Sequence, residues 1–255
     1  MSGGSGASGS GSPRGPITIN CDLGESIGLH AFGYDDELVR AADVANVACG
    51  MHAGDPGTMH AIVEQAVRAG TAVGAHPGLP DIVGFGRRAM ELDADDVRDL
   101  VRYQVGALAG FLGLHGAPLH HIKPHGALYG MTARQPELAR AVCGVARQYG
   151  VPVFGLRGTA HEQAALDEGV AFVGELYVDL DYRADGGLIV QRRPQPADPV
   201  AVAARVRSAL DHGRIVAVDG THIPVLFESI CVHSDLHGAP DVVRAVRAEL
   251  ERASR

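Results

Sequence analysis

The sequence predicts an α/β fold, namely a single TIM-like (β/α) barrel of seven or eight strands. Short apolar and β-branched runs alternate with amphipathic stretches, which is typical of a parallel sheet covered by helices. Seven or eight such units in 255 residues favour a barrel over the alternative, an open doubly wound sheet. Ionisable residues also follow most of the predicted strands, as they do at the catalytic rim of a barrel.

The predicted strands are short runs bounded by polar or turn-forming residues. In chain order they span residues 17–20, 44–48, 71–75, 119–123, 151–156, 170–174, 215–218 and 230–233. The predicted helices repeat apolar residues at spacings of three and four, so that each has one face for the core. They span residues 59–69, 95–112, 136–149, 199–212 and 240–252. The Pro-rich stretch 192–199 is interpreted as a surface loop before a helix.

Composition separates a tail from one domain. Residues 1–15 are rich in Gly and Ser, and we interpret them as a disordered tail outside the fold. Residues 16–255 contain no obvious linker, so we expect them to form a single catalytic α/β barrel domain.

Charge and hydropathy exclude several kinds of partner. The formal net charge is −8 and no long basic run occurs, which argues against nucleic acid. No apolar stretch approaches the roughly 20 residues of a membrane helix. The four cysteines form no CxxC pair, and no signal peptide is recognised, so we expect reduced thiols in a cytoplasmic protein.

Ionisable side chains follow six of the predicted strands. They are Asp22 and Glu25, His52 and Asp55, His76 and Asp81, Lys123 and His125, Glu175 and Asp179, and His233 and Asp235. Each one alone has a simpler explanation, since a loop carboxylate is commonly a helix cap and a loop histidine commonly a hydrogen-bonding residue. The carboxyl ends of parallel strands share one rim, however, so the whole set predicts one cavity lined by these groups.

Seven motifs together resemble the LamB/YcsF family and run in that family's order. They are N-C-D-L-G-E at 20–25, N-V-A-C-G-M-H-A-G-D-P at 46–56, G-A-H-P-G-L-P-D at 74–81, G-F-G-R-R at 84–88, I-K-P-H-G-A-L-Y at 122–129, D-G-G-L-I-V-Q-R at 185–192 and I-C-V-H-S-D at 230–235. The resemblance covers nearly the whole chain after Pro16.

The resemblance implies a barrel-like fold similar to that of glycoside hydrolases and polysaccharide deacetylases. It implies ATP-dependent opening of 5-oxoproline, or a related small lactam, to glutamate, together with two partner subunits, B and C, of the same 5-oxoprolinase. The chain contains neither GxGxxG nor GxxxxGK[ST]. We therefore expect the partner subunits to use the ATP and this chain not to bind it tightly.

Opening a lactam needs an activated nucleophile, a stabiliser for the developing oxyanion and an acid for the leaving nitrogen. We expect the catalytic residues to be Asp22 as base, Lys123 as holder of negative charge and His125 as proton carrier. The expected substrate-binding residues are Glu25, His52, Asp55, His76, Arg157, Asp179 and His233.

Two positions depart from the family's usual pattern: Leu180 replaces an arginine, and Arg157 replaces a small residue. We hypothesise that Arg157 restores the lost cationic contact with a substrate carboxylate. Two alternative functions remain. One is a metal-dependent deacetylase or carbohydrate hydrolase, in which Asp22, His52 and His76 would bind a divalent metal. The other is a non-catalytic subunit that binds a lactam or a carboxylate.

Overall fold

The computed structural model describes residues 15–189 and 196–255. The predicted tail, apart from Gly15, lies outside the described residues, and so do the end of the motif at 185–192 and part of the predicted loop at 192–199. In chain order the elements are β1 (Thr18–Leu23), α1 (Asp35–Ala41), β2 (Val44–Ala48), α2 (Pro56–Ala69), β3 (Ala72–His76), α3 (Ala94–Leu114), α4 (Gly126–Thr132), α5 (Pro136–Tyr149), β4 (Val153–Gly155), α6 (Ala160–Asp167), β5 (Phe172–Tyr177), β6 (Asp181–Tyr182), β7 (Leu188–Ile189), α7 (Pro199–His212), β8 (Arg214–Val216), β9 (His222–Pro224), β10 (Ser229–His233) and α8 (Ala239–Ala253).

The central element is a curled six-stranded parallel sheet with the strand order β3-β2-β1-β10-β5-β4. Its strands are buried on both faces because helices cover the outside, as expected for parallel sheets. In the register of the sheet, Asp22 of β1 pairs with Asn46 of β2 and with His233 of β10. The register therefore places three polar residues of the motifs side by side.

The predicted strand at 119–123 does not form a regular strand; it pairs with its neighbours only through isolated bridges at one residue, Ile122. Ile122 bridges to Ala75 of β3 and to Val153 of β4, the two edge strands of the sheet. The amide of Lys123 also donates to the carbonyl of Ala75 at 2.9 Å. Prolines precede and follow this segment, and a proline cannot donate to a ladder, so regular pairing does not extend further.

The expected count of seven or eight strands in one sheet is therefore corrected to six. The predicted strand at 215–218 is partly right, since β8 forms there, but it does not join the main sheet. It pairs antiparallel with β9 in a separate hairpin, because the turn at Asp219-Gly220 returns the chain at once. The short helices α1, α4 and α6 were not predicted; they have seven or eight residues and little room for a periodic pattern.

Helix α2 shows how the loops after the strands are fixed. Asp55 is its N-cap and accepts from the amides of Gly57 at 2.8 Å and Thr58 at 3.1 Å. The second carboxylate oxygen of Asp55 accepts from the amide of Gly28 at 2.8 Å. Asp55 thus joins the loop after β1 to the loop after β2. Its contacts are those of a helix cap, which is the simpler alternative to the predicted role in substrate binding.

Within the described residues, no helix is both long enough and apolar enough to cross a membrane. All four cysteines are buried free thiols.

Gly74 lies in β3 where the ring of His121 crosses the strand. A Cβ at this position would lie 1.9 Å from His121 Cε1, so we expect Gly74→Ala to lower the free energy of unfolding by about 1–3 kcal/mol or more. Gly110 is the matched control, because nothing lies within 4 Å of an added Cβ there. Gly110→Ala in α3 should raise stability by about 0.5–1 kcal/mol. Urea unfolding of both variants checks this, and equal effects would contradict it.

Candidate active site

A pocket opens at the carboxyl ends of the central strands; the empty space in it, including the open solvent at its mouth, is about 550 Å³. Its polar lining comes from β1, β3, the segment around Ile122, α4, β5, β10 and the loops beside them. These polar residues are Asp22, His76, Arg87, Lys123, His125, Tyr129, Tyr177, His233 and Asp235.

Lys123 is almost fully buried and its ammonium is surrounded by acceptors. The Nζ atom lies 2.9 Å from Asp22 Oδ1 and 3.2 Å from Glu175 Oε1. It also donates to Asn20 Oδ1 at 3.1 Å and to Cys231 Sγ at 3.0 Å. Burial alone would lower the pKa of Lys123, but the carboxylate of Asp22 and its neighbours hold the pKa well above the usual value. The side chain is a fixed cation, committed to protein partners.

The carboxylate of Asp22 is divided between two sets of neighbours. Its Oδ1 accepts from Lys123 Nζ and, at 2.7 Å, from Asn46 Nδ2. Its Oδ2 lies 3.3 Å from His76 Nε2 and 3.7 Å from His233 Nε2. Burial would raise the pKa of Asp22, but His76 and Lys123 hold it well below its usual range. Asp22 is therefore ionised at neutral pH, with Oδ2 directed to the histidines.

A chain of buried polar residues orients Asp22 from behind. His121 Nε2 donates to Asn46 Oδ1 at 2.7 Å, and Asn46 Nδ2 donates to both Asp22 and Asn20. Asn20 in turn donates to Ser229 Oγ at 2.7 Å. The sequence reasoning missed these residues. They could have been recognised as polar side chains within strands that are buried on both faces. Burying a polar side chain costs free energy unless it is hydrogen-bonded.

Three histidines and Glu25 form a second group on the far side of Asp22. His125 Nδ1 lies 3.0 Å from His76 Nε2 and 3.4 Å from Glu25 Oε1. His52 Nε2 lies 3.2 Å from Glu25 Oε1, and its ring stacks on His125 at 3.7 Å between centroids. Burial lowers the pKa of both His52 and His125, and burial with the charge of Asp22 raises the pKa of Glu25.

His233 forms a pair with the buried carboxylate of Asp179 at the edge of the pocket. Its Nδ1 donates to Asp179 at 3.0 Å, and its backbone amide donates to Asp179 Oδ2 at 2.7 Å. Burial would lower the pKa of His233, but Asp179 dominates and the pKa is raised to about 9. The imidazole is therefore protonated at neutral pH, with Nε2 facing Asp22.

Two aromatic residues complete the wall of the pocket. Tyr177 donates its hydroxyl to Glu175 Oε2 at 3.1 Å, which holds the second carboxylate beside Lys123. The buried hydroxyl of Tyr129 has no hydrogen-bond partner among the described residues. This hydroxyl is therefore free to donate a hydrogen bond into the pocket.

Two predicted site residues, Asp55 and Arg157, lie away from this cluster, whereas Leu180, which departs from the family pattern, lies in the pocket wall. Asp55 caps α2, as described above. Arg157 pairs with Glu162 and Glu228, and its guanidinium lies over the ring of Phe172, so its charge is already balanced. Leu180 lines the pocket as an apolar residue.

Arg87, which the sequence reasoning did not select, is the arginine that lines the pocket, and it pairs with Asp235 at 2.8 Å. Its signal was its place in the motif G-F-G-R-R.

Side chains of the types that bind metals form two groups in the described chain. One contains Glu25, His52, His76 and His125, and the other contains Asp22, Cys231 and His233. The sequence-based candidates for a metal, Asp22, His52 and His76, are thus divided between the groups, although Asp22 still touches His76.

Known proteins of one family are similar to this chain over nearly its whole length. The model of the LamB/YcsF family matches residues 17–255. The lactam utilization protein lamB of Emericella nidulans is 45% identical over 234 residues, which are 90% of this chain and 92% of that protein. The 5-oxoprolinase A subunit of Tolumonas auensis is 42% identical over 242 residues, covering 93% and 96% of the two chains.

Solved structures give the same result for the fold. The crystal structure of the lactam utilization protein from Thermus thermophilus matches with a TM-score of 0.85 and 41% identity, covering 93% of this chain and 97% of that one. A family 4 carbohydrate esterase from Streptomyces lividans matches with a TM-score of 0.50 and 12% identity, over 94% and 90% of the chains. The second similarity concerns the fold alone.

The pair of His233 and Asp179 predicts a dependence of stability on pH. The folded protein keeps the His233 proton up to about pH 9, whereas an unfolded histidine loses it near about pH 6.5. The stabilisation is therefore fully present below about pH 6.5 and is lost as the pH rises through about 9. We expect urea unfolding to show a loss of about 2–3 kcal/mol across this window. Asp179→Asn should flatten the dependence, and equal slopes would contradict the assignment.

Proposed function

The chain belongs to the LamB/YcsF family, and from this premise we propose that it opens the lactam ring of 5-oxoproline, or of a related small lactam, to glutamate. Relatives named as the A subunit of 5-oxoprolinase are 42% identical over more than nine-tenths of both chains, which supports this substrate. The observation that carries the proposal is a buried carboxylate bound by an ammonium at 2.9 Å, with an imidazole 3.7 Å away that a second carboxylate binds, both facing one pocket.

Asp22 is the base in this proposal. A lactam carbonyl is a poor electrophile, so the attacking water must lose a proton as its oxygen bonds to the carbonyl carbon. Oδ1 of Asp22 is occupied by Lys123 and Asn46, whereas Oδ2 faces the pocket side of the cluster. Oδ2 accepts the proton of the water, and Lys123 keeps the carboxylate ionised between turnovers. This makes Lys123 a positioning residue, in place of the direct contact with substrate that the sequence suggested.

His233 is the acid. When the carbon–nitrogen bond of the lactam breaks, the leaving nitrogen takes the electron pair of that bond and needs a proton. His233 Nε2 holds a proton at neutral pH and donates it to this nitrogen, while Asp179 stabilises the imidazolium. The proton that Asp22 accepted returns to His233 across the 3.7 Å that separate Oδ2 and Nε2. The balance is one water consumed and one amino group and one carboxylate formed.

Substrate recognition in this proposal uses Arg87 and Tyr129. Arg87 lines the pocket and has further guanidinium donors beyond the one bound to Asp235, so it binds the substrate carboxylate. The hydroxyl of Tyr129 donates to the lactam oxygen, where negative charge develops. Among the other predicted residues, His76, expected to bind substrate, and His125, expected to be catalytic, line the pocket beside Asp22, and Glu25 and His52 lie behind them.

The energy of ATP enters through partner subunits B and C in this proposal. Relatives whose name identifies them as one lettered subunit of 5-oxoprolinase support an assembly, and the absence of a phosphate-binding loop motif in the sequence supports ATP binding elsewhere. The four free thiols favour the cytoplasm as the compartment.

We also infer that the curled sheet and the segment around Ile122 act together as a small barrel. Hydrogen bonds from this segment to both edge strands support that inference. Closure of this kind holds Lys123 rigidly against β1, β5 and β10, as a preorganised site requires.

A coupled assay with this protein, both partner subunits, ATP and 5-oxoproline tests the function through glutamate formation. We expect Asp22→Asn to lower turnover by at least about 100-fold, since a general base is lost. Asp43→Asn is the matched control, because Asp43 lies outside the pocket and pairs with Arg247. Absence of glutamate with the wild type would refute the function, and normal turnover in Asp22→Asn would remove Asp22 from the mechanism.

Substitution of Arg87 and of Arg157 should have different effects on KM in the same assay. Arg87→Ala should raise KM by about 10- to 100-fold, as expected for loss of a charged hydrogen bond to a carboxylate. Arg157→Ala should leave KM unchanged, because Arg157 already pairs with Glu162 and Glu228. A higher KM in Arg157→Ala alone would restore the hypothesis that this arginine binds the substrate.

A further inference from the structure

The protons on two of the buried histidines are fixed by backbone carbonyls. His76 Nδ1 lies 2.8 Å from the carbonyl oxygen of Lys123, and His125 Nε2 lies 2.8 Å from that of Phe85. A carbonyl oxygen only accepts, so each of these ring nitrogens carries a hydrogen. Among the described residues, Phe85 is the one non-glycine residue with a positive φ, 53°, and its carbonyl oxygen faces His125.

In the neutral form of the rings, which is the form that binds a metal, the opposite nitrogens present lone pairs to each other. His76 Nε2 and His125 Nδ1 are 3.0 Å apart, and in neutral rings neither atom has a hydrogen to donate. Glu25 Oε1 approaches His125 Nδ1 at 3.4 Å, and Asp22 Oδ2 approaches His76 Nε2 at 3.3 Å. Four acceptor atoms thus converge in a buried place. One proton shared between two of them would leave the other two without a donor.

We propose that His76 Nε2, His125 Nδ1 and Glu25 Oε1 bind one divalent transition metal ion, with zinc as the best fit. Two imidazoles and a carboxylate are a ligand set that suits zinc. Ligating histidines characteristically donate their other ring N–H to a carbonyl or a carboxylate, as both do here. The proposal does not depend on the lactam reaction.

The distances fit a tetrahedral ion. Ligand bonds of roughly 2.0–2.2 Å at tetrahedral angles place ligand atoms about 3.3–3.5 Å apart. The pairs measured here are 3.0 Å and 3.4 Å, and all the candidate atoms lie within 4.8 Å of one another.

His52 belongs to the same group but has a different task. Its ring is parallel to that of His125, at an angle of 4° and a centroid distance of 3.7 Å. An ion in the plane of the His125 ring lies outside the plane of the His52 ring, where His52 has no lone pair to offer. His52 Nε2 instead donates to Glu25 Oε1 at 3.2 Å and orients that ligand.

The fourth coordination position faces the pocket beside Asp22. His76, His125 and Asp22 all line the pocket, whereas Glu25 and His52 lie behind them. Three protein ligands with one open position are the arrangement of catalytic rather than structural zinc sites. Such an ion polarises a carbonyl or lowers the pKa of a bound water, so the site has this capacity in addition to the acid and base groups.

Metal analysis and calorimetry on the wild type decide the proposal. The protein is produced without a histidine tag, its metal content is measured by mass spectrometry, and the chelated protein is titrated with ZnCl₂. We expect saturable binding of one ion per chain, and Co²⁺ in its place should give the visible absorption of a tetrahedral complex. Absence of saturable one-to-one binding to the folded wild type would overturn the site, whether or not the enzyme assay succeeds.

Four variants assign the ligands. His125→Gln and Glu25→Gln should weaken zinc binding by more than about 100-fold, beyond the loss expected for an outer-shell partner. His52→Gln keeps a donor to Glu25 and should cost about 10- to 100-fold at most. His161→Gln, the control for removal of a buried histidine, should bind as the wild type does, since His161 contacts Thr132 away from the group.

Circular dichroism verifies that each variant is folded. A fifth variant, Cys231→Ser, tests the neighbouring group of Asp22, Cys231 and His233. Loss of binding in Cys231→Ser, with binding retained in His125→Gln, would overturn the assignment of ligands.

Discussion

The buried ammonium of Lys123 is the interaction on which the rest of the site depends. An unpaired charge in a protein interior is very costly, so this cation is tolerated only because acceptors from three strands surround it. Asn20 and Asp22 come from β1, Glu175 from β5 and Cys231 from β10. The same contacts therefore hold neighbouring strands in register and keep Asp22 ionised. Removing any one acceptor would disturb both the sheet and the chemistry.

The charges around this cation are arranged in pairs. Asp22 lies between the fixed cation of Lys123 and the protonated ring of His233, while Asp179 balances His233 from the other side. Among the described residues, Glu25 contacts the imidazoles of His52 and His125 and makes no ion pair with a lysine or an arginine, and burial raises its pKa. Asp22 near the end of β1 and Glu25 just after it thus have opposite environments, although they are three positions apart in sequence. Divergent environments of this kind allow similar groups to take different roles.

Much of the fold and the location of the site could be predicted from the sequence. Alternation of strands and helices identified a parallel α/β architecture, and polar residues at strand ends identified Asp22, His76, Lys123 and His125 as neighbours. The pairing partner of residues 215–218 could not be read from hydrophobic pattern, because a half-buried hairpin strand and a barrel strand have similar composition. The ion pairs of Arg157 could not be predicted from the sequence, for a physical reason. Its partners Glu162 and Glu228 lie 5 and 71 positions away, and the second of these contacts is invisible without coordinates.

The backbone of Phe85 has a consequence for engineering this protein. A non-glycine residue with φ of 53° stores about 1–3 kcal/mol of conformational strain, so glycine at this position would be a tempting thermostabilising change. The ring of Phe85, however, packs edge-on against both His52 and His125, at 5.7 Å and 5.3 Å between centroids. A substitution of Phe85 that relieves the backbone strain would therefore also remove the ring that packs on the two histidines. Selection for thermal stability alone would favour glycine at position 85 and would disturb the packing of the histidine cluster.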